Sequence, residues 1–248
     1  MKSDTARAWV LAAIDLVFPA LCPVCSAALG AGRRDPLCGA CWRAIERVRA
    51  PLCELCGLPF PGFGTPADEG TLVGRCQACA TAPPPFAWAR AGGIYAGALR
   101  DAIHAFKFGG KQPLARPLAG LVLEQARAWL SAGVAALVPV PLAPARERER
   151  GFNQALLLAE RLGAEAGVAV RPRWLRRTRP TAPQADLTAV ERSRNVRGAF
   201  AATPAVRGLE VVLVDDVFTT GATVAECVRA LRAAGARRVG VLTVARVV

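Results

Sequence analysis

The sequence contains few of the residues that usually move protons near neutral pH. It has one histidine, His104, and three lysines, Lys2, Lys107 and Lys111. A lone histidine beside apolar residues is more often structural or superficial than catalytic. We therefore assign His104 no catalytic role, keep Lys107 only as a weak candidate for phosphate contact, and find no residue that stands out as a general base.

The sequence also lacks a convincing export signal and an apolar run that could span a bilayer. The apolar stretch from Trp9 to Leu21 is interrupted by Asp15 and is shorter than the roughly 20 residues of a membrane helix. We expect this stretch to form a short amphipathic helix. Together with the arrangement of the cysteines, these absences predict a cytoplasmic protein without a membrane span.

The length and composition are those of a folded protein with a substantial core. The chain has 248 residues, of which 53% are hydrophobic, and this argues against wholesale disorder. The net charge of +13 is uneven, because residues 1–82 carry 8 basic and 7 acidic residues, whereas residues 83–248 carry 24 and 12. A basic surface attracts polyanions such as nucleic acid or pyrophosphate. A solvated basic face without a partner is the simpler alternative.

Eight of the nine cysteines form four C-x-x-C pairs. The pairs are Cys22/Cys25, Cys38/Cys41, Cys53/Cys56 and Cys76/Cys79. One C-x-x-C turn offers two thiolates to a metal, and two turns complete a tetrahedral zinc site. We predict two structural zinc ions, each held by two sequential pairs. A cross-braced arrangement, disulfides in an exported protein and a redox pair remain alternatives. The ninth cysteine, Cys227, occupies an apolar helical position and is expected in the core.

A proline-rich linker, residues 81–86, marks the best domain boundary. Before it, the cysteine-rich stretch is too small and too rich in proline and glycine to fold on core burial alone, so metal must supply much of its stability. We therefore predict a zinc module at residues 1–82 and an α/β domain at residues 83–248.

The most informative stretch is residues 211–223, VVLVDDVFTTGAT. Four apolar residues predict a buried strand, the pair Asp215 and Asp216 follows, and a Thr/Gly loop then leads into a helix. A helix N-terminus, a glycine that permits close backbone approach and threonine hydroxyls suit a phosphate monoester. The two carboxylates suit neighbouring sugar hydroxyls. A phosphorylated ribose matches both halves, although an ordinary strand–helix turn with solvated acids is the alternative.

A second strand, residues 135–141, ends in prolines and is followed by Arg146, Arg148 and Arg150. A helix begins at about Asn153, a favourable N-cap. Because ligands of open α/β sheets bind at the carboxyl ends of strands, we expect this loop beside the Asp215–Asp216 pair. Its arginines suit pyrophosphate, which accepts bidentate donors.

Residues 171–200 are polar, proline-punctuated and rich in arginine, and they predict a long loop. The arginines Arg173, Arg176 and Arg177, with Trp174 and Phe152, also offer charge and stacking surfaces for single-stranded DNA. The simpler alternative is a surface loop that packs on the edge of the sheet.

Residues 211–223 resemble the phosphoribosyl-pyrophosphate (PRPP) motif of type I phosphoribosyltransferases. Further motifs occur in order along the chain: residues 139–142, residues 150–154, Arg179, Thr181, Gln184, Leu187, Arg192, Asn195 and residues 198–200. Together with the cysteine pairs, they resemble the ComF family, which includes ComFC-like proteins linked to natural competence and GntX-like proteins of a gluconate-utilisation gene neighbourhood. The resemblance covers nearly the whole chain.

The resemblance implies a type I phosphoribosyltransferase-like parallel sheet flanked by helices, beside a double zinc-ribbon module. It implies that the loop of Thr219, Thr220, Gly221, Ala222 and Thr223 holds a 5′-phosphate. It makes Asp215 and Asp216 the catalytic pair, which contacts the ribose hydroxyls and Mg²⁺. Arg150, Gln184, Arg192 and Asn195 are then candidates to contact substrate or pyrophosphate, the last three from a segment that closes over the site.

Three functions follow as expectations. The first is phosphoribosyl transfer, whose acceptor the sequence does not identify. The second is a non-catalytic role in DNA uptake or recombination, with single-stranded DNA and competence proteins as partners. The third is a PRPP sensor that has lost chemistry.

Overall fold

The structure, a computed structural model, describes residues 20–30, 35–60, 74–130, 133–181 and 188–248. The predicted N-terminal helix up to residue 19, together with Gln184 and Leu187, lies outside the described residues. No helix within the described ranges is long and apolar enough to cross a membrane.

A parallel sheet forms the centre of the α/β part. The strands are β1 (Trp88–Ile94), β2 (Val134–Pro139), β3 (Leu175–Arg177), β4 (Phe200–Ala202), β5 (Glu210–Phe218) and β6 (Arg238–Arg246). Within the described ranges, four of them pair in parallel in the order β1–β6–β5–β2, and β3 pairs antiparallel with β4. Parallel strands are apolar because helices cover both faces of their sheet, and this explains the run at residues 211–214.

Helices flank the sheet. They are α1 (Gly39–Arg43), α2 (Gln77–Thr81), α3 (Gly97–Phe108), α4 (Ala115–Ala126), α5 (Pro144–Arg150), α6 (Gln154–Ala166), α7 (Ala189–Val196) and α8 (Ala222–Ala233). Asn153 caps α6 as predicted, because its side chain accepts hydrogen bonds from the Ala155 and Leu156 N–H groups. Short 3₁₀ turns lie at Gln112–Leu114, Arg127–Trp129, Pro172–Trp174 and Pro204–Val206.

The core lies on both faces of the sheet. Along β5, Val212 and Val214 belong to the apolar cluster that contains residues of α3, α4 and α6, whereas Val211 and Leu213 belong to the cluster of α8. This alternation follows from the two-residue period of a strand. Cys227 is fully buried in the second cluster, which confirms its predicted place in the core.

Two stretches are more regular than the sequence suggested. The arginine-rich segment after β2 is helix α5, which begins at Pro144. The predicted long loop at residues 171–200 contains β3 and α7. Helix α7 starts with a capping box in which Thr188 and Glu191 cap each other's backbone N–H groups. The pattern Thr-x-x-Glu was the available signal, and the surrounding prolines obscured it.

The cysteine-rich module lies along β1, at the edge of the sheet. The Ile94 N–H donates to the Glu46 carbonyl at 2.8 Å, and the Ala89 N–H donates to the Leu55 carbonyl at 2.7 Å. These bonds satisfy backbone groups that an edge strand would otherwise expose. The predicted boundary at residue 82 stays a prediction, and side chains from both sides of it, such as Ile45 and Leu99, share one apolar cluster.

Candidate functional site

The cysteine pairs meet as two four-sulfur clusters within the described part of the chain. The first contains Cys22, Cys25, Cys38 and Cys41, and the second contains Cys53, Cys56, Cys76 and Cys79. In each cluster all sulfurs lie within 4.8 Å of one another. The Cys25–Cys38 and Cys56–Cys76 sulfur separations are 3.6 and 3.7 Å. Tetrahedral zinc with Zn–S bonds of about 2.3 Å places its sulfurs about 3.8 Å apart. The donor set fits zinc, and the sequential pairing is confirmed.

A cleft lies at the carboxyl ends of β2 and β5. It has a volume of about 260 Å³ and is lined by acidic, basic and hydroxyl side chains. Of the residues predicted for the site, it gathers Asp215, Asp216, Thr219, Gly221, Ala222, Thr223, Arg150 and Arg192. The strands are parallel, so their carboxyl ends share one edge, and ligands of such sheets bind there.

The acid pair belongs to strand β5, near its carboxyl end, and not to the loop that follows the strand. The Asp216 N–H donates to Asp215 Oδ1 at 2.9 Å, and Lys107 Nζ lies 2.9 Å from Asp216 Oδ2. Burial and the neighbouring Asp216 carboxylate raise the pKa of Asp215 to about 7. A carboxyl with this pKa changes charge near neutral pH, so its ionisation depends on what binds beside it.

Gly221 starts α8 with a backbone that favours glycine. Its φ is +73°, and a Cβ placed on it would lie 2.7 Å from Cζ of Phe218. The backbone therefore rests directly on the Phe218 ring, and Gly221 brings no side chain to cap the helix. Thr219, Ala222 and Thr223 line the cleft around this helix start. A helix start that borders a cleft in this way attracts anions.

Arginines line the same cleft as the acid pair. Arg150 Nη1 donates to Gln154 Oε1 at 3.0 Å, and Arg177 Nη1 donates to Thr181 Oγ1 at 2.6 Å. Burial lowers the pKa of both guanidinium groups, which nevertheless stay protonated at neutral pH. Gln154 is only 2% exposed, and its Nε2 has no hydrogen-bond partner among the described residues. The cleft therefore combines the acid pair with fixed positive charge and, at Gln154 Nε2, a buried donor without a partner among the described residues.

Some predicted site residues do not line the cleft. Thr220 is exposed, and its Oγ1 accepts a hydrogen bond from the Ala222 N–H. The Asn195 carbonyl accepts from Arg179 Nη2 at 3.0 Å, outside the cleft lining. Gln184 lies outside the described residues.

Sequence reasoning missed three polar residues of the cleft. It treated Arg177 as part of a surface cluster, gave Gln154 no role in the site and did not foresee the contact of Lys107 with Asp216. The side chains of Arg177 and Lys107 reach the cleft from elements distant in sequence, so no local motif marked them. Gln154 stands directly after the Asn153 cap, within the quoted motif at residues 150–154, and that motif was the available signal.

Two domain families match the chain. Residues 13–80 match the double zinc ribbon domain, and residues 140–247 match the phosphoribosyl transferase domain. The DNA utilization protein YhgH of Salmonella typhimurium is 37% identical over 237 residues, which cover 93% of this chain and 99% of that protein. Competence protein F of Haemophilus influenzae is 29% identical, and the matched region covers 86% of this chain and 91% of that protein.

The chain belongs to the ComF family. Competence protein ComFC of Streptococcus pneumoniae, another relative, is 26% identical over 85% of this chain and 87% of its own length. The predicted fold is confirmed: this ComF protein combines a type I phosphoribosyltransferase-like sheet with four-cysteine zinc sites.

Among solved structures, glutamine PRPP amidotransferase from Bacillus subtilis in complex with ADP and GMP is similar to part of this chain. The match has 24% identity and a TM-score of 0.35, and it covers 53% of this chain but only 26% of that one.

Proposed function

We propose that the cleft of this ComF protein binds PRPP or a related phosphoribosyl ligand together with Mg²⁺. The observation that carries the proposal is the placement of the Asp215–Asp216 pair and the Gly221 helix start in one cleft. The helix start suits a phosphate monoester, and paired carboxylates suit adjacent ribose hydroxyls. A phosphoribosyl group carries both features at a fixed separation.

Each wall of the cleft has a role in this proposal. The loop of residues 219–223 holds the 5′-phosphate, and Asp215 and Asp216 hold the ribose hydroxyls. Mg²⁺, which prefers carboxylate, phosphate and water oxygens, binds on the side of these acids and offsets the charge of the ligand. Arg150 and Arg192 contact pyrophosphate, and Gln184 and Asn195 join them if residues 171–200 close over the site as the family resemblance implies.

The same arrangement supports phosphoribosyl transfer. When the bond from the anomeric carbon to pyrophosphate breaks, positive charge develops on the sugar and negative charge on the departing group. Arg150 and Arg192 stabilise the departing group, while Asp215 and Asp216 contact the sugar. The protein contributes to the reaction by positioning the ligand and by stabilising charge. In this proposal it acts in the cytoplasm, where such ligands are made.

Titration calorimetry with PRPP and Mg²⁺ tests the binding proposal. We expect saturable binding by the wild type and loss of binding in the Asp215→Ala/Asp216→Ala variant. Glu160→Ala, which removes an exposed acid outside the cleft, is the matched control and should bind as the wild type does. Absence of wild-type binding, or equal binding by the double variant, contradicts the proposal. Release of pyrophosphate with a panel of acceptors then separates an enzyme from a sensor.

A second function, binding of single-stranded DNA, is favoured by the exposed arginines around β3. Arg171, Arg173 and Arg176 are exposed, and the Arg171 guanidinium lies 5.9 Å from the ring of the partly exposed Trp174. Charge beside an aromatic face is what single strands bind. The relatives named for DNA utilization and competence agree with this role.

Two residues of the earlier hypothesis do not belong to that surface. Phe152 is 8% exposed, and its ring lies 5.5 Å from that of Phe106 in the core, so it cannot stack on a base. Arg177 lines the cleft. The surface is therefore tested with Arg173→Gln/Arg176→Gln, and exposed arginines elsewhere provide the control Arg127→Gln/Arg161→Gln.

Binding of an oligothymidine is measured at two salt concentrations. We expect the affinity for the oligothymidine to fall as the salt concentration rises. In Arg173→Gln/Arg176→Gln it should depend less steeply on salt, because binding releases fewer counterions. Equal affinity and slope in both variants contradict this surface.

A further inference from the structure

We infer that Arg246 couples the second zinc centre to the loop that starts α8. Its Nη1 donates to the carbonyl oxygen of Cys56 at 2.6 Å, and its guanidinium carbon lies 5.5 Å from the centre of the Phe218 ring. Arg246 is 5% exposed. The inference rests on the proposed function, because the loop is the one assigned to the 5′-phosphate. It makes Arg246 a positioning residue for that loop.

The zinc end of this connection is a metal-dependent turn. Cys56 is the second ligand of its C-x-x-C turn, in which the Gly57 N–H donates to the Cys53 carbonyl at 2.9 Å. Zinc with four thiolates carries a net charge of about −2. Arg246 has no carboxylate partner in the described part of the chain, and a buried guanidinium without compensation is unfavourable. The zinc–thiolate centre therefore supplies the charge that keeps Arg246 in place.

The loop end is fixed by the Phe218 ring. Phe218 is opposite Arg246 in the β5–β6 ladder, and the Val247 N–H donates to its carbonyl at 2.9 Å. The Phe86 ring meets the same ring edge-on, with 6.0 Å between centroids. Gly221 rests on Phe218 so closely that even a Cβ would displace it. The position of the ring therefore sets the backbone that starts α8.

Among the described residues, the first zinc centre has no comparable connection. Its cysteines Cys22, Cys38 and Cys41 belong to the apolar cluster on the opposite face of the sheet from α8. Arg90, on the other hand, holds the same turn as Arg246, because its Nη2 donates to the Glu54 carbonyl at 3.2 Å. Its guanidinium packs on Trp129 at 4.0 Å rather than on Phe218. Arg90 thus provides a matched control, because it donates a hydrogen bond to the turn of the second centre but does not contact the loop that starts α8.

Coupling between two sites is reciprocal, so a ligand on the loop must stabilise the second zinc centre by the same factor. The full-length zinc-loaded protein is treated with a zinc-selective chelator and a cysteine alkylating reagent, with and without ribose 5-phosphate. Mass spectrometry measures the labelling rate of each cysteine. We expect the ligand to slow labelling of Cys53, Cys56, Cys76 and Cys79 about fivefold or more and to leave the first centre unchanged.

Variants assign the effect to Arg246. In Arg246→Met the ligand no longer protects the second centre, and the affinity for ribose 5-phosphate falls by the same factor. In Arg90→Met the centre labels faster overall, but the ligand still protects it. Phe218→Leu keeps an apolar side chain but removes the ring, and it should behave as Arg246→Met does. It provides a second test of the coupling if Arg246→Met does not fold.

The outcomes separate this inference from the proposed function. If calorimetry finds that the wild type binds neither PRPP with Mg²⁺ nor ribose 5-phosphate, the proposed function fails. If the wild type binds but the ligand protects both centres equally or neither, the coupling is overturned. Retained selective protection in both Arg246→Met and Phe218→Leu overturns it as well.

Discussion

The Lys107 ammonium nitrogen lies 2.9 Å from Oδ2 of Asp216 and joins the end of α3 to β5 inside the cleft. The two side chains are 18% and 14% exposed, so water screens the pair less than it screens a surface ion pair. The lysine also stabilises the charged form of the adjacent Asp215 carboxyl. In the proposed complex, Lys107 thus favours the ionised form of Asp215 and stands within reach of the ligand.

Replacement of Lys107 by methionine should weaken phosphoribosyl binding. Without the ammonium group the pKa of Asp215 rises further, so less of the carboxylate is ionised at neutral pH. We expect affinity for PRPP with Mg²⁺ to fall about threefold to tenfold, as for an ion pair worth about 1 kcal/mol. Lys111→Met, at an exposed lysine outside the cleft, is the control. Equal losses in the two variants, measured by calorimetry, count against this role of Lys107.

The stability of the ligand-free protein should record the raised pKa of Asp215. Between about pH 4 and pH 7 the unfolded chain ionises this carboxyl while the folded chain keeps it protonated, so stability falls as pH rises. Asp215→Asn does not titrate. Its unfolding free energy relative to wild type should therefore increase by roughly 1–3 kcal/mol across this range and then level off. Urea unfolding at several pH values measures the difference, and a pH-independent difference contradicts it.

Gly221→Ala should disturb both the fold and the loop. The backbone at φ +73° is strained for alanine, and the added Cβ meets the Phe218 ring. Gly208→Ala separates these effects, because Gly208 has the same φ of +73° with no atom within 4 Å of the added Cβ. We expect Gly208→Ala to cost about 1 kcal/mol and Gly221→Ala clearly more, with loss of ligand binding in the latter alone. Chemical denaturation and calorimetry measure the two quantities, and similar results for both variants argue against the contact.

Zinc content should be two ions per chain. Cys76→Ser removes a ligand of the second centre, so we expect one ion and a lower melting temperature, because zinc binding contributes directly to the folding of such modules. Cys227→Ala, in the core outside both centres, should retain two ions. Metal analysis and thermal unfolding measure these changes. A full complement of zinc in Cys76→Ser contradicts the ligand assignment.

Local patterns in the sequence were sufficient for the elements that depend on local physics. The run at residues 211–214 is buried because its residues are apolar and mostly β-branched. Asn153 caps α6 because its side chain reaches N–H groups two and three residues ahead. The same local logic applied to Thr188 and Glu191, yet the prolines around them concealed α7.

Contacts between distant segments required the tertiary structure. Phe152 and Arg177 both looked available for nucleic acid, but the fold buries the first against Phe106 and turns the second into the cleft. Side-chain direction depends on how α6 and β3 pack on the sheet, and the sequence of either segment does not specify that packing. Predictions for these residues therefore failed.

The sequence by itself determined the family, the cysteine pairs and the strand–acid–loop–helix motif, because each is encoded within a few residues whose spacing fixes its geometry. The tertiary structure decided which distant partners meet. It joined Lys107 to Asp216 across the cleft and Arg246 to Cys56 across the zinc interface. Such pairs form only when packing of the apolar faces brings separate elements together, and hydrophobic burial is non-directional until the whole fold constrains it.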